Sequence, residues 1–192
     1  ADPPGAWQIN LGNGQMFAPV PFYARPYQIL TPTGEFWSSG EGIVQAEVYR
    51  WRAGGDTALV LLSGRQPAPV TTSERDSAMA EVRERLSQRV PVDLPSLDPS
   101  RVPTTKPPVY GLSVDAEGRL WVRVSDPGED STVYDVFTME GVHTETVLMP
   151  FRIDAYVPPV VRGDTVWGVV VDELDVQHVV RARVRPPVSP DG

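Results

Sequence analysis

The residues best placed to hold a cation are carboxylates: Asp172, Glu173 and Asp175 in one short group, Asp115 further upstream, and the run Asp126-Pro127-Gly128-Glu129-Asp130. A calcium loop of the EF-hand kind needs ligands at alternate positions, a central Gly and a Glu at the twelfth position. Neither acidic group has that pattern, so both read as solvated turns, and Asp115, Asp172, Glu173 and Asp175 stay only as weak metal candidates. The two histidines, His143 and His178, are 35 positions apart. The sequence has no Cys, so a zinc site would need both histidines plus carboxylates. The simpler reading is one surface His and one strand His. No Gly-x-Ser-x-Gly nucleophile elbow occurs, and Ser63-Gly64 reads as a strand-end turn. Gly12, Gly14, Gly54 and Gly55 read as hairpin glycines, not as a phosphate loop. No catalytic or cofactor-binding residue, and no cofactor, is therefore expected.

Composition narrows the classes further. The chain has 192 residues, enough for one well-buried domain, and 41% of them are apolar. Its 21 prolines are well above the usual share of about 5%. Proline cannot donate to a sheet ladder, so it gathers at strand ends, turns and straps. With 17 basic against 25 acidic residues the net charge is −8, a poor match for phosphate backbones, and no nucleic-acid partner is expected. No apolar run approaches the ~20 residues of a membrane-spanning helix. Residues 1–5 have neither the basic start nor the apolar core of a signal peptide.

The elements that would position these side chains are mostly strands. Trp7-Gln8-Ile9-Asn10-Leu11 alternates as a half-buried strand that Gly12-Asn13-Gly14 should end, with Pro19, Pro21 and Pro26 keeping the next stretch extended. Strands are expected at 27–30, from Glu35, at 46–52 and at 57–62, with a hairpin turn at 53–56. A helix is expected over 74–89, capped by Thr71 with Glu74 or by Ser73 with Asp76, and seated on the sheet by Met79, Val82 and Leu86. Pro91, Pro95, Pro99, Pro103, Pro107 and Pro108 then make an extended strap. Strands resume at 109–114, 119–124, 132–138 and 143–149, with a polar loop at 125–130. A last group falls at 156–161, 165–171 and 176–184. Arg181-Ala182-Arg183-Val184-Arg185 should turn its arginines to solvent.

A repeat runs through this pattern. Gly34-Glu35-Phe36-Trp37 matches Gly118-Arg119-Leu120-Trp121, and Gly163-Asp164-Thr165-Val166-Trp167 is a weaker third copy. Trp121 and Trp167 are 46 positions apart, a propeller-blade length, and removing the helix and strap brings the longer Trp37–Trp121 interval near the same period. Recurrence at one position per unit assigns these tryptophans to packing between units. The fold expected is all-β, with about three four-stranded antiparallel blades of a partial β-propeller and one inserted surface helix. The units are 1–16 (tail and leading strand), 17–66 (first blade), 67–108 (helix and strap), 109–152 (second blade), 153–187 (last blade, lacking its outer strand) and 188–192 (tail).

The run Val114-Asp115-Ala116-Glu117-Gly118-Arg119-Leu120-Trp121-Val122 resembles the blade signature of six-bladed, NHL-like β-propellers. With Tyr134-Asp135-Val136-Phe137, Leu148-Met149-Pro150-Phe151 and the stretch from Gly163 to Leu174, the chain resembles the C-terminal half of bacterial propeller proteins of that kind, which are often exported. The resemblance implies an extracytoplasmic location. It also leaves room here for only about three blades. The preferred arrangement is part of a longer chain with further N-terminal blades. The alternatives are two copies closing a six-bladed ring head to tail, or a three-blade arc curling on itself. Uncovered faces and edges would otherwise invite aggregation. The function that follows is a non-enzymatic scaffold or binding module for a protein, peptide or glycan. The alternative is a hydrolase or lactonase-like propeller whose site is completed by other blades or a second copy.

Overall fold

The computed structural model describes residues 3–11, 14–31, 33–40, 47–51, 57–62, 66–88, 97–124, 131–154 and 157–184. The expected turns at 53–56 and Ser63-Gly64, the acidic loop 125–130, Pro91, Pro95 and the tail 188–192 lie outside the described residues. Strands dominate the rest, and every pairing among them is antiparallel. Strands β1 (Ala6–Leu11) and β2 (Gly14–Pro19) form a hairpin. Strands β3 (Gln28–Leu30), β4 (Phe36–Ser39), β5 (Glu47–Trp51) and β6 (Thr57–Leu62) form a sheet in chain order. So do β7 (Val109–Val114), β8 (Leu120–Val124), β9 (Thr132–Phe137) and β10 (His143–Met149). Strands β11 (Val160–Arg162), β12 (Thr165–Val171) and β13 (Gln177–Arg183) make a third sheet of three.

Three sheets stack because the middle one is apolar on both faces. Successive strand residues point to opposite faces. Along β8, Leu120, Val122 and Val124 bury toward the first sheet, in one cluster with Trp37 and Val48. Trp121 points the other way and joins Tyr134, Val136, Val147 and Met149 against Val161 and Val166 of the third sheet. Every residue of β8 and β9 is buried as a result. The polar exceptions are tied down. Arg123 donates from Nη1 to the Ile153 carbonyl at 2.8 Å. Thr132 Oγ1 accepts from Ile153 N at 3.0 Å, and Asp135 accepts from Thr146 Oγ1 at 2.7 Å.

The three repeat tryptophans lie on corresponding faces. Trp37 packs toward the second sheet and Trp121 toward the third. Trp167 pairs in register with Val160 and Arg181 on the third sheet's outer face, opposite to the buried Val161 and Val166. It is only half-buried there.

Two local expectations need correction. The chain does not run on as an extended lead-in after Leu11. Gly14 to Pro19 returns as β2, pairing Ala6 with Pro19 and Leu11 with Gly14. Pro19 is tolerated because it ends the strand at a sheet edge. The leading strand therefore pairs with its own neighbour in a two-stranded sheet. The helix also has a different seat. Helix α1 (Thr72–Ser87) buries Met79, Val82 and Leu86 as expected, but against Trp7, Ile9, Ala18 and Val20 of the hairpin and Leu97 and Val102 of the strap. Trp7 Nε1 donates to the Asp98 carbonyl at 3.2 Å, and Arg101 donates to the Pro3 carbonyl at 2.8 Å. A short 3-10 turn, Pro99–Arg101, breaks the strap.

The helix start makes an acid-sensitive contact. Thr71 and Glu74 form the capping box, Glu74 N donating to Thr71 Oγ1 and Thr71 N to Glu74 Oε2. Lys106 Nζ donates to the other oxygen, Oε1, at 2.5 Å. These bonds, Lys106 first and then Thr71, hold the Glu74 carboxyl down at about 2, against 4.5 ordinarily. A depressed carboxyl contributes stability that is complete above its unfolded value and is lost as pH falls through the folded one. The acid limb of the urea midpoint between about pH 4.5 and about 2 should therefore flatten in Glu74→Gln.

Candidate functional site

The first strands of the first two sheets and the approach to the third line one cavity of about 250 Å³. Tyr27 and Gln28 come from the start of the first sheet, Tyr110 to Ser113 from β7, and Asp154 with Val157, Pro158 and Pro159 from the chain leading to β11. Arg123 and Tyr134 line it from β8 and β9. The volume is just under the ~300–1,000 Å³ of ordinary ligand pockets, so it fits a side chain or one ring.

The walls are fixed from outside the cavity. Tyr27 N donates to Ser39 Oγ and Ser39 N to the Tyr27 carbonyl, each at 2.8 Å. Tyr134 meets Trp121 edge to face with centroids 5.7 Å apart. Asp154 N donates to the Val169 carbonyl at 2.7 Å, fixing that carboxylate's backbone to β12. Gly111 stands opposite Arg123, and a Cβ there would lie 3.7 Å from the Arg123 Cβ. Ser113 Oγ is buried with no hydrogen-bond partner among the described residues. The lining thus has three tyrosines, one guanidinium and one carboxylate, a charge-balanced surface suited to stacking and neutral hydrogen bonds. Two other hollows, one beside the helix at Arg75 and Arg83 and one between β10 and β13, draw on fewer parts of the fold.

Three of the weak metal candidates, Asp115, Asp172 and Asp175, occupy one kind of turn. Four hairpins close with the same five-residue turn, beginning at Thr31, Asp115, Thr138 and Asp172. In each, the first residue's N–H donates to the fifth carbonyl, and the fourth N–H donates back to the first carbonyl. The fourth residue has positive φ: Gly34, Gly118, Gly141 and Asp175, at 86°, 83°, 85° and 59°. Glycine suits that conformation, and Asp is among the few side chains that tolerate it. The first side chain accepts from the turn's own backbone. Asp115 Oδ1 takes Glu117 N at 3.1 Å and Arg119 N at 2.6 Å. Asp172 Oδ1 takes Leu174 N at 2.9 Å and Val176 N at 3.0 Å.

Asp115 does more than close its turn. Its Oδ2 accepts from Arg119 Nε at 2.7 Å and from the buried Trp121 Nε1 at 2.9 Å. Trp37 has Thr31 at the matching position, and its Nε1 is buried with no hydrogen-bond partner among the described residues. Asp172 Oδ2 lies 2.8 Å from His178 Nε2. That contact first, and then the two backbone bonds, pulls the Asp172 carboxyl below its usual range. Glu173 and Asp175 are exposed on the same turn. Among the described residues no three His, Asp or Glu side chains gather as a metal set. His143, the other histidine, lies 3.7 Å from Asp135.

The four turns share a sequence pattern of Thr or Asp, two residues, then Gly or Asp. The cavity left no such signal, because its residues come from five separate parts of the chain. A scan of protein-family models and searches of curated proteins and solved structures found no match to this chain. Among the described residues no helix is long and apolar enough to cross a membrane.

Proposed function

We propose that this chain is a non-enzymatic scaffold or binding module built from β-propeller-like blades, with a protein, peptide or glycan ligand placing one side chain or sugar ring in the Tyr27–Tyr110–Tyr134 cavity. The observation that carries the reading is the meeting of all three sheets' leading edges at one tyrosine-rich hollow. Tyrosine offers a large, stiff contact face with a polar tip, which suits recognition more than proton transfer. Two of the weak metal candidates, Asp115 and Asp172, close hairpin turns through their carboxylates.

The test is a screen of immobilised chain against a peptide library and a glycan array, followed by titration of the best binder. Tyr110→Ala should weaken that binder about tenfold or more, as loss of an aromatic anchor does. Tyr49→Ala, on the far face of the first sheet, should leave it unchanged. Hydrolysis of any screened compound that Tyr110→Ala abolishes would overturn the non-enzymatic reading.

A further inference from the structure

Each internal junction in the stack seats a tryptophan from one sheet against apolar side chains of the next. At the first, Trp37 lies among Leu120, Val122, Val124 and Val133. Its register partner Arg50 lies over the ring, 5.7 Å from the centroid, and donates across the junction to the Met139 carbonyl at 2.7 Å. The third sheet presents the same pair, Trp167 in register with Arg181, on its outer face. Val160 pairs with Trp167, and Val179 and Val171 lie further along the same face, at 53%, 77% and 44% exposed.

A receiving face exists at the other end of the stack. In the first sheet Leu30, Phe36 and Trp51 form one cross-strand row, pointing away from the buried Trp37 and Val48. Leu30 is 68% exposed. Tyr49 and Glu47 continue that face, the Tyr49 hydroxyl donating to the Glu47 carboxylate. The charges are complementary. The outer face of the third sheet carries Arg162, Arg181 and Arg183, and that of the first sheet carries Glu47. Covering either face alone would leave the other open. A head-to-tail contact pairs one such face with the other, and two copies cover both faces where the rotation between them closes.

We infer that two copies of this chain associate head to tail, Trp167 and Arg181 of one seating on the Leu30–Phe36–Trp51 row of the other. Sedimentation of the 192-residue chain at about 100 μM, where micromolar association is readable, should give twice 21.1 kDa. Leu30→Glu and Val179→Glu alter side chains more than two-thirds exposed, so each should fold. Each should nevertheless raise the dissociation constant about 30-fold or more, as loss at an interface centre does.

The 192-residue sequence has no Cys, so thiol cross-linking is clean. A mixture of Leu30→Cys and Val179→Cys chains should link through a short bis-maleimide, and neither variant alone should. A monomeric wild type, a mass above two copies, a dimer indifferent to both Glu variants, or links forming equally within one variant would each overturn the inference. A monomer would assign the open faces to further sheets of a longer chain.

Discussion

Asp115→Ala should destabilise the fold by about 2–4 kcal/mol, because it leaves a buried indole N–H unpaired and removes the acceptor of two turn N–H groups, while Arg119 keeps Glu145 as a partner. The side chain is fully buried and receives four donors: two backbone N–H groups, the Arg119 guanidinium and the Trp121 indole. Alanine leaves the indole N–H without its acceptor in a packed core, where an unmade bond costs about 1–3 kcal/mol. It also loosens a turn stitched to the third sheet, because Ala116 N donates to the Val161 carbonyl and Glu117 accepts from Gly163 N. Asn keeps the shape and one acceptor, so Asp115→Asn should cost less, about 1–2 kcal/mol. Urea midpoints of the two variants test this. For Ala, the fall in Tm should be on the order of 10 °C for a chain of this size. A metal-binding role would instead make the loss depend on added divalent ion, and no such dependence is expected.

The second large effect separates the three tryptophans. Trp37 and Trp121 are 0% and 1% exposed, and cutting either to Ala should cost about 3–5 kcal/mol. Trp167→Ala should cost only about 1–2 kcal/mol in a single chain, since much of its surface is already in water. Denaturant unfolding at high and low protein concentration checks both halves of this statement. If the outer face is covered by a second copy, the Trp167 cost grows with concentration while the other two stay fixed. Equal costs for all three at every concentration would contradict the layering of the sheets.

The sheets were legible because each strand carries its own evidence. Leu120-Trp121-Val122-Arg123-Val124 is short, β-prone and bounded by a Gly-containing turn, and it needs no distant information to be recognised. The second strand of the N-terminal hairpin was hidden because only Ala18 on it is buried and Pro19 argues locally against a strand. The helix stripe was also legible, but its seat was not. Met79, Val82 and Leu86 say that something covers them, and only the tertiary fold identifies Trp7, Ile9 and Leu97 as the cover. The partners of Asp115 were hidden for a related reason. A carboxylate in a Gly-containing turn suggests both a cation ligand and a cap, and the choice rests on Trp121 Nε1 six positions later. The cavity was out of reach because Tyr27, Tyr110 and Asp154 share no spacing.

The shared five-residue turn has a consequence for the order of assembly. Each of the four turns joins strands that are adjacent in sequence, so those pairs close short loops and can form early, on the microsecond scale of isolated hairpins. The hairpin–helix core is the opposite case, since its contacts join Trp7 to Asp98 and Pro3 to Arg101 across more than ninety residues. Such closure pays its loop entropy before any contact repays it. The sheets should therefore gain amide-exchange protection first, and Trp7 should be the last of the buried tryptophans to leave water.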